Sequence, residues 1–300
     1  MSTPSQELLE GLSAVVTGAG AGLGRAEALA LAAQGAAVVV NDYDKDAAHA
    51  VVEEIQAAGG QAVAAPGDVS SWSLAESLVS TAVTEFGKLD ILVNNAGVLR
   101  DRTIFNISEE EWDTVIAVHL KGHAGTSKFA TQHWRERSKA ADGPVYGRVV
   151  NTSSEAFLFG SPGQPNYAAA KAGITALTLA TSGACGRYGV RANAICPRAR
   201  TAMTAQVFGE APTDGVDPLG VEHVAPLVTY LASPEADAIT GQVFVAYGPM
   251  VVLASAPGIE ARFDAATPTW TVDGLADALG PYFRDREGNR SFRADAFTSL

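Results

Sequence analysis

Short runs of apolar, mostly β-branched residues recur along roughly the first 250 residues, separated by longer alanine-rich segments of mixed polarity. Ala14-Val-Val-Thr17, Ala37-Val-Val-Val-Asn41, Ala62-Val-Ala-Ala65, Ile91-Leu-Val93, Arg148-Val-Val-Asn151 and Gln242-Val-Phe-Val-Ala246 have no polar alternation, so none reads as a strand with one wet face. Between them the pattern predicts helices over Arg25–Gln34, Ala47–Ala58 (ended by Gly59-Gly60) and about Glu109–Ala117. The last begins with a capping box, Ser108-x-x-Glu111, in which each side chain satisfies an otherwise unpaired backbone N–H. Uniformly apolar strands alternating with helices predict an α/β fold, a doubly wound parallel sheet flanked by helices. Gln242–Ala246 reads as the last strand, and from Ala254 the alternation stops. The expected organisation is one domain over 1–253 and a C-terminal extension over 254–300. That extension holds a short helix candidate, Leu275–Leu279, and the charged run Arg284–Glu287.

Composition narrows the classes. The chain is 47% hydrophobic and 18% charged, as expected of a globular protein with a buried core. With 33 acidic and 21 basic residues its formal net charge is -12, which argues against nucleic acid or an anionic membrane as a general partner. The two cysteines, Cys185 and Cys196, read as buried thiols of a reducing compartment, and no metal-ligand spacing is present. No signal-peptide pattern, membrane-length apolar run or Ser-Lys-Leu terminus is found, and a cytoplasmic enzyme is expected.

The first strand runs into Thr17-Gly-Ala-Gly-Ala-Gly-Leu-Gly24, followed by a helix. Glycines Gly18, Gly22 and Gly24, with Leu23, allow a sharp turn and close backbone approach, and a helix N-terminus favours a phosphate. Asp42 closes the second strand, 24 positions after Gly18, where a carboxylate can accept from both hydroxyls of an adenosine ribose and would repel a 2'-phosphate. Neither Ala21 nor Tyr43 supplies a cation for that phosphate, so NAD is favoured over NADP. Tyr167 and Lys171 share a helix face in Asn166-Tyr-Ala-Ala-Ala-Lys-Ala172. A cation beside a phenol favours the phenolate, and such a pair can act as a general acid/base.

Thr17-Gly-x-x-x-Gly-x-Gly24, Asn94-Asn-Ala-Gly97, Ser154 and Tyr167-x-x-x-Lys171, in this order, resemble the short-chain dehydrogenase/reductase family over roughly residues 10–250. The resemblance implies a Rossmann-like fold and hydride transfer between a nicotinamide cofactor and a secondary alcohol. It implies that Tyr167 exchanges the hydroxyl proton, Lys171 lowers the tyrosine pKa and binds the nicotinamide ribose, and Ser154 holds the substrate oxygen. It also implies that Asp68 and Val69 contact adenine, that Asn95, Ala96 and Gly97 line the adenosine side, and that Pro197 and Thr201 cover the carboxamide. Homodimers or homotetramers are usual in the family.

Two positions depart from that pattern. His119 stands where a relay asparagine is expected, and it either continues a proton relay to Lys171 or packs for shape. Arg198 replaces the usual glycine after Pro197, so either the turn differs or Arg198 meets an anion. Asn95–Arg102, Val118–Gly122 and Val38–Asp42 further resemble the (3R)-hydroxyacyl-CoA dehydrogenase part of the peroxisomal multifunctional enzymes type 2, also called 17β-hydroxysteroid dehydrogenase type 4. The implied substrate is a 3-hydroxyacyl thioester or steroid-like alcohol. Arg100 and Arg102 would meet an acyl-CoA phosphate or the protein's own carboxylates, and Met203–Gly220, with Val207 and Phe208, occupies the place of the family's substrate lid. The alternatives are a 3-oxoacyl thioester reductase using NADPH and a catalytically silent nucleotide-binding scaffold.

Overall fold

A computed structural model of the chain describes residues 7–204, 208–286, 293, 294, 296 and 297. It divides into two compact units, Met1–Ala254 and Ser255–Leu300. The first alternates β1 (Ser13–Thr17), α1 (Gly22–Ala33), β2 (Ala37–Asn41), α2 (Lys45–Ala57), β3 (Ala62–Ala64), α3 (Trp72–Phe86) and β4 (Ile91–Asn94). There follow α4 (Glu109–Ile116), a π-helical turn (Ala117–Lys121), α5 (Gly122–Ala140), β5 (Gly147–Thr152), α6 (Ala156–Phe159) and α7 (Pro165–Cys185). β6 (Val190–Pro197), α8 (Ala225–Leu231), β7 (Val243–Tyr247) and β8 (Met250–Leu253) complete it.

The strands form one sheet in the order β3-β2-β1-β4-β5-β6-β7-β8, parallel except for the final β7–β8 pair. Alternate residues of each strand serve opposite cores. Ala14, Val16, Val38 and Val40 pack with Leu31 of α1 and Ile55 of α2. Val15, Val39 and Leu92 pack with Leu78 of α3 and Trp134 of α5. Each such fully buried side chain contributes about 1.5–3 kcal/mol. The order reverses between β1 and β4, so the loops after these two strands diverge and leave a crevice at their C-terminal ends.

Several elements differ from the sequence expectation, and β6, α6 and α8 are also not among those read from the pattern. Gln242–Ala246 is not the last strand: the chain reverses at Gly248 (φ +49°) and returns as β8, antiparallel to β7. The helix from Glu109 does not end at Ala117 but continues through the π turn to Ala140. Polar and small residues such as Gly122, His123, Gly125 and Thr126 conceal its apolar period, yet they are buried and make close packing against α3 possible. α3 itself, capped by Ser71 and ended by Gly87 in the left-handed region, is not among the elements read from the pattern. The capping box at Ser108 and Glu111 is present with both bonds.

In the second unit, Val272–Asp285 forms α9, longer at both ends than Leu275–Leu279, with the Thr271 side chain accepting from the Gly274 N–H at 3.0 Å. Tyr282 donates to Glu260 at 2.9 Å and stands edge-on to Phe263. Glu287, at the end of the charged run, lies outside the described residues. Among the described residues no helix is long and apolar enough to cross a membrane, and no cluster of His, Cys, Asp or Glu suits a metal.

α1 buries a carboxyl. Glu27 is fully inaccessible, and neither carboxyl oxygen has a protein partner. Burial pushes its pKa from 4.5 up to about 8, with the Lys171 charge opposing. A carboxyl held protonated in the folded state costs nothing below the unfolded value, and stability is lost progressively as pH rises from 4.5 towards 8. Glu27→Gln is therefore expected to match the parent protein near pH 4 and to exceed it by a few kcal/mol near pH 8, read from urea denaturation at both pH values.

Candidate active site

The C-terminal strand ends open into a cleft of about 760 Å³. Thr17 organises one wall. Its hydroxyl oxygen accepts from the backbone N–H groups of Asn95 and Ala96 at 3.1 and 3.2 Å, and the Asn95 side chain donates to the Thr17 and Gly18 carbonyls. The loop after β4 is thereby locked to the glycine turn after β1. Gly18 and Gly22 have φ of +63° and +55°, a region that costs other residues energy. A Cβ on Gly24 would collide with the Gly18 carbonyl and the Asn95 amide. Gly24 thus lets helix and turn pack closely and does not line the cleft, whereas Gly18, Gly22 and Leu23 do.

α1 starts at this turn with no side-chain cap and no acid in its first turn. Its N–H groups face the cleft, as a phosphate site requires. Asp42, at the end of β2, accepts from the Gly20 N–H at 2.8 Å and the Asp44 N–H at 3.0 Å. Each carboxylate oxygen keeps a lone pair for a further donor. Arg25, the nearest cation of α1, is engaged with Glu54 at 2.6 Å. Asp68, Val69, Asn95, Ala96 and Gly97 continue this wall. The Asn95 amide donates to the Thr17 and Gly18 carbonyls and so holds the turn. These residues fit a dinucleotide: a glycine cradle, a bare helix N-terminus, then a carboxylate.

The opposite wall is carried by β5, β6 and α7. A buried ladder ties β5 and α7 to β4 and α5: Thr126 donates to Asn94 at 2.6 Å, Asn94 to Asn151 at 2.9 Å, and Asn151 to Thr178 at 2.8 Å. Asn166, fully buried just before Tyr167, donates to the Arg100 and Glu111 carbonyls and accepts from the Tyr167 N–H. Lys171 donates to the Thr152 carbonyl at 2.5 Å, with its ammonium 5.3 Å from the Tyr167 ring centre. Tyr167, Lys171, Pro197 and Thr201 all line the cleft. Ser154 follows Ser153 of the lining, close enough to the Tyr167 phenol to favour its ionised form, and accepts from the Ala156 N–H at 3.2 Å. Thr17 was read as the start of the glycine motif but not as the residue that locks the two loops, and Thr152 and Asn166 escaped the sequence reading. Thr152 acts through its carbonyl, which leaves no trace in residue type, and only the position of Asn166 beside Tyr167 could have signalled it.

Desolvation reverses one expectation. The Tyr167 phenol is pushed up to about 12 by burial, against the Ser154 hydrogen bond, and Lys171 is pushed down to about 7 by burial. The lysine charge therefore does not bring the phenol towards neutrality in the protein alone, because both groups have left water and Lys171 bonds a carbonyl instead.

His119 occupies the π turn, a local expansion frequent at functional sites. Its Nε2 lies 2.9 Å from both the N–H and the carbonyl of Val98, while Nδ1 is buried without a protein partner. The ring stands edge-on to Tyr167, with centroids 5.2 Å apart. Burial and the Lys171 charge hold its pKa down at about 3, so it is neutral. It braces the loop after β4 against α7.

The departure at Arg198 and the question of what the neighbouring arginines meet are resolved by partners. Arg198 has no positive φ, since Asp142 is the one non-glycine residue with that geometry among those described. It instead forms a two-pronged pair with Glu155, at 2.6 and 2.8 Å. Arg102 meets Glu111 at 3.2 Å, and Arg100 lines the cleft with its guanidinium on the Leu99 carbonyl. Arg200 holds the described part of the expected lid through Asp217 at 2.9 Å and the Phe208 carbonyl at 2.6 Å. Val207 lies outside the described residues.

The short chain dehydrogenase pattern matches residues 13–211. The chain belongs to the short-chain dehydrogenase family. It is 56% identical over 296 residues to hydroxyacyl-CoA dehydrogenase ChsB1 of Mycobacterium tuberculosis, covering 95% of this chain and 93% of that protein. It is 42% identical to the peroxisomal multifunctional enzyme type 2 of Mus musculus over 233 residues, 74% of this chain but 30% of that larger protein. The crystal structure of a short chain dehydrogenase from Mycobacterium avium superposes with a TM-score of 0.83 at 49% identity, covering 91% of this chain and 96% of that one. This short-chain dehydrogenase is thus an oxidoreductase with the family's sheet.

Gly97 packs on the His119 ring so closely that a Cβ would collide with Cε1. Gly97→Ala is expected to lower stability by about 1–3 kcal/mol through overpacking, measured by urea denaturation.

Proposed function

We propose that this oxidoreductase is an NAD-dependent dehydrogenase of secondary alcohols, acting on a 3-hydroxyacyl thioester or a steroid-like alcohol. The observation that carries the reading is that Tyr167, with Ser154 beside it, and Lys171 face a cleft whose other wall is the glycine turn and Asp42. The 56% identity with a hydroxyacyl-CoA dehydrogenase supports the substrate class. When bound, the nicotinamide supplies the hydride acceptor and, in its oxidised form, a positive charge.

The chain's own residues do the rest. Ser154 holds the substrate oxygen beside the Tyr167 hydroxyl, where negative charge develops. Tyr167 takes the hydroxyl proton in oxidation and donates it in reduction, and burial, which pushes its pKa up, favours the donor form. Lys171, with one N–H bond to Thr152, has two further donors for a ribose hydroxyl. Reduction of a 3-oxoacyl thioester is the same chemistry in reverse. The 33% identity with a 3-oxoacyl-[acyl-carrier-protein] reductase of Thermotoga maritima supports that direction, while Asp42 opposes NADPH. The free Cys185 and Cys196 thiols support a cytoplasmic setting, and the exposed Ala172, Ala176 and Ala180 face of α7 supports a homodimer or homotetramer.

Tyr167→Phe is expected to reduce kcat about 10²–10⁴-fold with NADH affinity retained, followed by absorbance at 340 nm over a panel of 3-hydroxyacyl thioesters, steroids and simple alcohols. Unchanged turnover would overturn the role given to Tyr167. Asp42→Ser is expected to narrow the preference for NAD over NADP by about tenfold, or ~1.4 kcal/mol, in paired kcat/KM measurements. A parent enzyme that prefers NADP would remove the role given to Asp42.

A further inference from the structure

Ser154 follows β5, and the Pro197–Thr201 segment follows β6, the neighbouring strand. Backbone bonds join the two strands up to the Ser153 N–H, which donates to the Ile195 carbonyl at 2.7 Å. Beyond that point β5 ends while β6 continues beside β7 to Pro197, so side chains must hold the two loops to each other. Glu155, directly after Ser154, and Arg198, directly after Pro197, meet there through two charge-assisted bonds. The side chains are 10% and 19% exposed, so solvent screens the pair little. The Arg198 N–H donates to the Ala246 carbonyl at 2.9 Å, and its guanidinium lies 5.8 Å from the Tyr247 ring centre, so β7 anchors the arginine. Glu155 begins the turn in which the Ala156 N–H donates to the Ser154 hydroxyl oxygen.

We infer that the Glu155–Arg198 pair is a positioning device that fixes the Ser154 hydroxyl against the segment covering the nicotinamide end of the cleft. The fork geometry matters because a guanidinium and a carboxylate in parallel contact set both distance and orientation. Removing Arg198 leaves a carboxylate with little water around it, and the turn carrying Ser154 shifts to hydrate it. A displacement of about 1 Å at a positioning group can cost up to about 10²-fold in rate. The role rests on the proposed dehydrogenase reading, because Ser154 matters to turnover only there.

The test is a cycle of variants: Arg198→Met, Glu155→Gln, their combination, Ser154→Ala, and Arg198→Met combined with Ser154→Ala. Arg198→Met is expected to lower kcat about 10–100-fold in otherwise unaltered enzyme, but less than about twofold once Ser154 is alanine, because the loss acts through that hydroxyl. Glu155→Gln with Arg198→Met is expected to be no worse than Arg198→Met alone. Equal losses with and without Ser154 would reduce the pair to general stability and overturn the inference. Should Arg198→Met not fold, Arg198→Lys keeps the charge, loses the fork and carries the same comparison. Hydrogen exchange on the protein without substrate reads the device independently of activity. Residues 153–160 and 198–204 are expected to exchange faster together in Arg198→Met, and unchanged exchange would overturn the inference even if every alcohol tested proved a substrate. If the parent enzyme turned over none of them, the dehydrogenase reading would fall, while the exchange result would still decide whether the two loops are tied.

Discussion

A sheet buried on both faces has no wet surface along its strands, and this constraint governs the rest of the molecule. Polar chemistry gathers at the strand ends, and most polar groups within the core are paired. Thr17, Asp42, Asn95 and Ser154 stand at or just beyond C-terminal strand ends. Asn94 and Asn151, which face inward, complete one another and reach Thr126 and Thr178. The same ladder that satisfies these amides joins β4, β5, α5 and α7, so the cost of burying them is offset by the alignment of the helix that carries Tyr167 and Lys171.

Desolvation at that boundary also sets the proton affinities. Tyr167 is raised to about 12 and Lys171 lowered to about 7, both chiefly by burial. His119 is kept neutral for the same reason. In the protein alone the phenol and the imidazole are neutral at pH 7, and Lys171 stands near its titration point there. A site prepared in this way responds strongly to any charge brought into it, because the local dielectric is low. The proposed chemistry therefore depends on what enters the cleft as much as on the side chains waiting there.

Much of the architecture was legible because the strands have no alternation to disguise them. Ala37–Asn41 is read residue for residue, and the other predicted strands are within one or two residues of their observed ends. The misses have physical causes. Helix α5 packs through glycine, threonine and serine, so its buried face does not look apolar. β8 pairs with β7 at the sheet edge and leaves Val251 and Leu253 exposed, a hairpin return whose pairing depends on the turn at Gly248. Arg198 was legible as a departure from the family pattern, and its anion was not, since Glu155 lies 43 residues away in the chain.

The sequence by itself determined the parallel sheet, the glycine turn, the acid after the second strand and the spacing of Tyr167 and Lys171, because each depends on local backbone preference or helical period. Tertiary structure decided what those residues can do. It alone brings the Thr152 carbonyl to Lys171, the Val98 peptide to His119, Asn95 under the glycine turn and Glu155 to Arg198, and it removes the water that would have kept the phenol and the ammonium near their ordinary proton affinities. Those outcomes arise from contacts between distant segments and from burial, quantities that no short stretch of chain contains.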